Sequence, residues 1–306
     1  MCGIVGLLIK DPDKRELLGR LGTEMLEGMA TRGRDSAGLA AYTDEVEEED
    51  ARKFSLYAPG GSLDWRAFAG GMQDHLDREV TFEANGNHAV VVPHGLAEAA
   101  WRWVVEEHPE VSLLSVGRSI EVYKDTGHPA DIAQRYGFRD LVGSHVVAHT
   151  RMATESAVTW AHAHPFTVGE DFCLIHNGSL SNPNNLRRML QRRGMHFDTD
   201  NDTEAAARFL EWRLREGDDL EAAIEAGFEE LDGFYTFLIG TKDELALVRD
   251  PFACKPAVAA ETDDYVAIAS EFRSLAYLPG INDADVFEPG PEEIFVWNKK
   301  SVAAKR

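Results

Sequence analysis

An α+β fold, with sheets packed between helical layers, is predicted by three observations. Strand-length apolar runs lie towards both ends of the chain, and amphipathic helical stretches lie between them. No Pro/Gly/Ser-rich linker divides the 306 residues, which favours a single domain (2–306) carrying an insertion. The length is enough to bury a substantial core.

In order along the chain, 4–9 reads as a buried strand, IVGLLI. Over 14–30, Leu17, Leu18, Leu21, Met25, Leu26 and Met29 fall at helical spacing, which predicts an amphipathic helix. SAGLAAY at 36–42 is a second strand, followed by the acidic run Asp44 to Asp50, a solvated loop. Residues at about 80–140 read as an inserted α/β segment: a strand at 88–93, a helix at 97–108, one strand over 112–123, and a short helix near PADIAQRYG. Buried strands at 142–152 and 171–178 end in polar residues. Asn182-Pro183 opens a helix with a cap and a proline at its first position. Further helices are expected at 204–217 and 219–231, the first with a capping box from Asn201 to Glu204. Strands return at 234–240, 244–250, 264–270 and 293–297.

Composition narrows the function. A net charge of −22 and a pI near 4.8 exclude nucleic-acid backbones and anionic membranes as expected partners. No apolar run reaches transmembrane length, and no secretory leader is visible. Cys2, Cys173 and Cys254 show no pairing pattern, so a reducing, cytoplasmic setting is expected. His149, His162, His164 and His176 do not complete a zinc spacing, and no metal or other cofactor is expected.

The chain begins MCGIVGLLIK. Amide hydrolysis by a thiol needs a nucleophile, a base and donors for the tetrahedral oxyanion. A free α-amine, with an ordinary pKa of about 7.7–8.0, can be the base if the nucleophile is the first residue of the mature chain. Cys2 meets that condition once Met1 is removed, which a small second residue permits. A penultimate cysteine alone would carry little weight. Six further stretches give it context: Thr31-Arg32-Gly33-Arg34-Asp35-Ser36-Ala37-Gly38; His149-Thr150-Arg151-Met152-Ala153-Thr154; Ala163-His164-Pro165-Phe166; His176-Asn177-Gly178-Ser179-Leu180-Ser181-Asn182; Asn201-Asp202-Thr203-Glu204; and Arg249 to Pro256 with Ala269-Ser270-Glu271.

In kind and order this series resembles the glutaminase domain of class II glutamine amidotransferases, which are N-terminal-nucleophile hydrolases. The resemblance runs from the first residues to about Glu271. It implies a four-layer αββα sandwich of antiparallel sheets. It also implies roles: Cys2 as nucleophile with its α-amine as base, and Asn177 and Gly178 as the oxyanion hole. Arg151 would hold the glutamine α-carboxylate, which a planar guanidinium can grip bidentately. Asp202 would receive the α-ammonium, although it also precedes a helix that it could merely cap. Arg32, Asp35 and Thr154 would lie by the substrate.

Two features point within the family. Met152 stands where an aromatic residue is often found, and the separation from Asp35 to Arg151 is long. TWAHAHPF (159–166) and IHNGSLSN (175–182) are similar to the glutamate synthase branch. Only about thirty-five residues follow Glu271, too few for a phosphoribosyl, isomerase, synthetase or flavin module. The resemblance is therefore to stand-alone amidotransferase subunits of glutamate synthase-like and N-methylglutamate synthase systems. It implies L-glutamine as substrate and flavin-dependent glutamate synthase-like subunits as ammonia acceptor. Two other readings stay open at this point: an amidase with a different amide substrate, and a non-catalytic scaffold on the same fold.

Overall fold

The computed structural model describes residues 2–61, 63–153 and 157–300. Thr154, expected near the substrate, lies outside the described residues, as does Met1. Strands and helices are numbered along the chain. The first sheet is antiparallel, with strands in the order β15 (Asp285–Phe287), β13 (Val258–Glu261), β14 (Tyr265–Ala269), β1 (Gly3–Ile9), β8 (His145–Arg151), β2 (Ser36–Tyr42) and β7 (Ile120–Thr126). The second is β16 (Ile294–Asn298), β12 (Glu244–Arg249), β11 (Gly233–Gly240), β10 (Cys173–Leu180) and β9 (Phe166–Thr167), also antiparallel.

Strand alternation decides how these sheets stack. On β1, Ile4 and Leu8 face inward and pack with Ile175, Leu238, Leu245 and Leu247 of the second sheet. Val5, Leu7 and Ile9 face outward against α1 (Leu18–Gly28) and α4 (Pro129–Arg135), through Leu18, Leu21, Met25 and Ile132. The second sheet covers its outer face with α5 (Pro183–Gln191), α6 (Asp202–Glu216) and α7 (Leu220–Glu230), through Leu174, Phe237 and Ile239 against Leu186, Phe209 and Ile224. The result is the four-layer αββα sandwich that the sequence implied. All seven residues of β1 are buried, as befits a strand in the middle of a sheet.

A third antiparallel sheet, β4 (Val80–Asn85), β5 (His88–Pro93), β3 (Lys53–Tyr57) and β6 (Ser112–Gly117), carries α2 (Trp65–Leu76) and α3 (Ala97–Glu107) on its own apolar cluster. The insertion expected at about 80–140 is therefore displaced: this sheet starts at Lys53 and ends at Gly117, and β7 and α4 belong to the main sandwich. The single strand expected over 112–123 is also two strands. The chain turns at Arg118-Ser119 because Asp171, from another loop, accepts hydrogen bonds from the amides of Arg118, Ser119 and Ile120 at 2.8–2.9 Å. The first helix likewise begins as a 3₁₀ turn over Pro12–Leu17 before α1. Among the described residues no helix is long and apolar enough to cross a membrane.

Candidate active site

Cys2 is held at the mouth of the inter-sheet layer. Gly3 pairs with Thr150 of β8, and Val5 with Ala269 of β14, so the start of β1 is flanked on both sides. A Cβ on Gly3 would come within 2.8 Å of Thr150 Oγ1 and 2.9 Å of Met29 Cβ, so glycine allows the terminus to lie close against α1 and β8. The Cys2 carbonyl accepts a hydrogen bond from Arg32 Nε at 2.7 Å. By alternation with Ile4, the Cys2 side chain belongs to the inward face, and its Sγ lies 4.0 Å from the Met152 carbonyl oxygen. The three cysteines are free; Cys173 is buried between the sheets, where burial pushes its thiol up to about 12.

Facing this terminus from the second sheet is the end of β10. Ile175 points inward, so Asn177 does too, and it is only 5% exposed. Its Nδ2 is buried, and no described residue accepts a hydrogen bond from it. A buried amide donor without an acceptor is costly and marks a place where a ligand oxygen would be stabilised. Gly178 has φ +152, and a Cβ there would overlap the Phe234 carbonyl oxygen. Only glycine fits this position, and its backbone is exposed beside the Asn177 amide.

The expected substrate-binding residues divide. Arg151 ends β8 beside Cys2, 5% exposed, with Nη1 donating to the Ala157 carbonyl at 3.2 Å. Asp202 is partly exposed; one carboxylate oxygen accepts from Leu180 N–H at 2.9 Å, and the other lies 3.8 Å from His176 Nδ1. The capping box expected here does not form. Asn201 caps α6 through Thr203 N–H, but Glu204 instead accepts from the amides of Asp198 and Thr199, at 2.8 and 2.7 Å. Asp202 is thereby relieved of capping duty. Arg32 and Asp35, grouped with the substrate contacts by sequence, are engaged by protein groups: Arg32 by Cys2 and Glu271, Asp35 by Ala153 N–H at 2.8 Å.

Sequence reading did not foresee how the histidines are used. His149 Nε2 is 3.2 Å from the His176 carbonyl oxygen, linking β8 to the strand that carries Asn177. His164 stacks on His149, and the Thr203 hydroxyl lies 2.9 Å from His164 Nε2 and 3.2 Å from His176 Nδ1. His162 pairs with Asp200 at 2.8 Å. Among the described residues, no group of three His, Cys, Asp or Glu side chains could hold a metal ion.

Burial lowers His145 and His149 to about 3 and His88 to about 4, and it moves His164 and His176 in the same direction. In the unfolded chain these imidazoles titrate near 6.5. Their contribution to stability is therefore complete above pH 6.5. It is lost as the pH falls towards 4, because only the unfolded state takes up protons, at up to about 1.4 kcal/mol per pH unit per histidine. The urea midpoint is expected to drop clearly between pH 7 and pH 5. An unchanged midpoint would show that these imidazoles are not buried in the neutral form.

Comparison with known proteins gives the family. A family model described as a glutamine amidotransferase domain matches residues 149–277. The chain is 45% identical over 306 residues to the glutamine amidotransferase-like protein GlxB of Rhizobium meliloti (strain 1021), covering 99% of this chain and 100% of that protein. The chain belongs to the glutamine amidotransferase family. A putative glutamine amidotransferase of Methanothermobacter thermautotrophicus is 30% identical over 96% of this chain and 99% of its own length. Among solved structures, the glutamine phosphoribosylpyrophosphate amidotransferase from B. subtilis matches with a TM-score of 0.64 at 19% identity, over 100% of this chain and 49% of that one. That likeness is one of fold. Two residues of this amidotransferase that sequence reading left without a role, Ser270 and Glu271, contact the start of β1 or its neighbours. Their signal was the Ala269-Ser270-Glu271 stretch, which carried no role of its own in the sequence.

Proposed function

We propose that this amidotransferase hydrolyses L-glutamine through Cys2 and passes the ammonia to a separate flavin-dependent, glutamate synthase-like subunit. Removal of Met1 exposes the Cys2 α-amine, which takes the thiol proton directly or through a water. The thiolate attacks the side-chain amide carbon. An S–C bond forms, the carbonyl becomes an oxyanion between the Asn177 amide and the Gly178 N–H, and the C–N bond then breaks with proton transfer to nitrogen. Water hydrolyses the γ-glutamyl thioester to glutamate and frees the thiol. Arg151 and Asp202 suit the α-carboxylate and α-ammonium of an amino acid.

The observation that carries the reading is the buried, unaccepted Asn177 Nδ2 on the strand facing Cys2. The test is labelling with an electrophilic glutamine analogue. Mass spectrometry should find Met1 absent and the adduct on Cys2. A retained Met1, or an unlabelled Cys2 with acceptor subunits present, would overturn the reading. The acceptor is supported by the glutamate synthase-like character of residues 159–166 and 175–182, and turnover of glutamine should rise on adding such a subunit. Arg151→Lys keeps the charge but loses the planar fork. The KM for glutamine is expected to rise about tenfold or more, with a smaller change in kcat, in a steady-state ammonia assay. An unchanged KM would remove Arg151 from the carboxylate site.

A further inference from the structure

The turn after β14 grips the start of β1. Ser270 Oγ accepts the Ile4 amide at 3.0 Å, and the Ser270 amide donates to the Ile4 carbonyl at 3.2 Å. One oxygen of Glu271 accepts from Arg32 Nη1 at 2.6 Å, while Arg32 Nε holds the Cys2 carbonyl at 2.7 Å. The second Glu271 oxygen is 2.7 Å from Arg273 Nε. The Arg32 side chain is buried at 7% exposure, while Glu271 is partly open to solvent at 34%, so screening is weakest on the Arg32–Cys2 side of the relay. The carbonyl oxygen and the α-nitrogen of one residue lie within about 4 Å of each other by covalent geometry. The guanidinium therefore lies at close range to the Cys2 α-nitrogen.

We propose that Glu271 is a positioning residue for the reacting terminus: through Arg32 it fixes the Cys2 carbonyl, and its charge offsets the guanidinium's field at the α-amine. The proposal rests on Cys2 acting with its own amine as base. Among the described residues, the charged groups around this terminus include Arg32 and Asp35 from the loop after α1, Arg151 from β8, Glu271 and Arg273 from the turn after β14, and Asp202 of α6 on the facing side of the site. Asp35 is occupied by Ala153 N–H, which leaves Glu271 as the carboxylate bound to Arg32. Without the Glu271 charge, the arginine cation disfavours the ammonium form, and the amine becomes free of its proton at lower pH.

The test is the pH dependence of kcat/KM for glutamine, measured together with analogue labelling of Cys2. Glu271→Gln is expected to lower the plateau about tenfold and to move the acid limb down by about half to one pH unit. Glu271→Asp should keep the native limb. Arg32→Gln removes the cation itself and should move the limb the other way, to higher pH; it also serves if Glu271→Gln does not fold. If Cys2 is labelled in the native protein but neither Gln variant shifts the limb, the proposal is overturned even where activity falls, since loosened packing alone lowers activity without a shift. If the native Cys2 is not labelled, the underlying reading fails and the proposal fails with it.

Discussion

A Cys2→Ser variant is expected to release ammonia from glutamine at least about a thousandfold more slowly than the native protein. The α-amine is a base matched to a thiol, whose ordinary pKa of about 8.5 lies close to its own. A hydroxyl is far less acidic, so the same amine leaves it protonated and weakly nucleophilic. Folding should survive the change, because the hydrogen-bond contact of Sγ among the described residues is a long one, 4.0 Å to the Met152 carbonyl oxygen. The strand behind Cys2 is held by main-chain pairing to β8 and β14. Ammonia release measured beside a thermal melt checks both halves of the expectation. A serine variant that still turned over glutamine with an unchanged melt would remove Cys2 as the nucleophile.

Asn177→Ala is expected to reduce kcat by about 10²–10³-fold, with the KM for glutamine little changed. The argument starts from Nδ2, which is buried and has no acceptor among the described residues. Such a donor is already desolvated and aimed, so it needs no reorganisation when negative charge develops on the substrate oxygen. Removing a group that binds only the transition state lowers kcat and kcat/KM together. A variant that lost affinity but kept kcat would place Asn177 in ground-state binding instead. Gly178 resists the corresponding experiment, since any side chain there would meet the Phe234 carbonyl.

Much of this was legible from residues alone, and the reasons differ by feature. The strand at 4–9 reads correctly because a central strand is apolar on both faces, and Val5, Leu7 and Leu8 are indeed wholly buried. Asn177-Gly178 reads as special because an apolar strand leads into it and Asn-Pro follows it. The third sheet begins earlier and ends earlier than the insertion expected at about 80–140 because β3 belongs to it while β7, directly after β6, pairs with β2 instead, and pairing partners leave no local trace. The break at Arg118-Ser119 was invisible because a distant carboxylate, Asp171, makes it. Glu204 fits the capping-box spacing, yet the preceding loop offers it two amides and the Thr199 hydroxyl. Arg32 was expected by the nucleophile from its motif, and the fold adds its bond to the Cys2 carbonyl, which is no miss. In each miss, a contact between residues far apart in sequence overrode a sound local pattern.

The position of β1 also fixes when the site can exist. Its two neighbours are β8, at His145–Arg151, and β14, at Tyr265–Ala269. During synthesis β1 therefore waits for strands made much later. At typical synthesis rates that delay is roughly 13–50 seconds. Throughout it, Cys2 has neither the Arg32–Glu271 link nor a flanking strand on the β14 side. Cys2 thus gains its second flanking strand and the Arg32–Glu271 link only once the chain has been made as far as β14 and the turn after it.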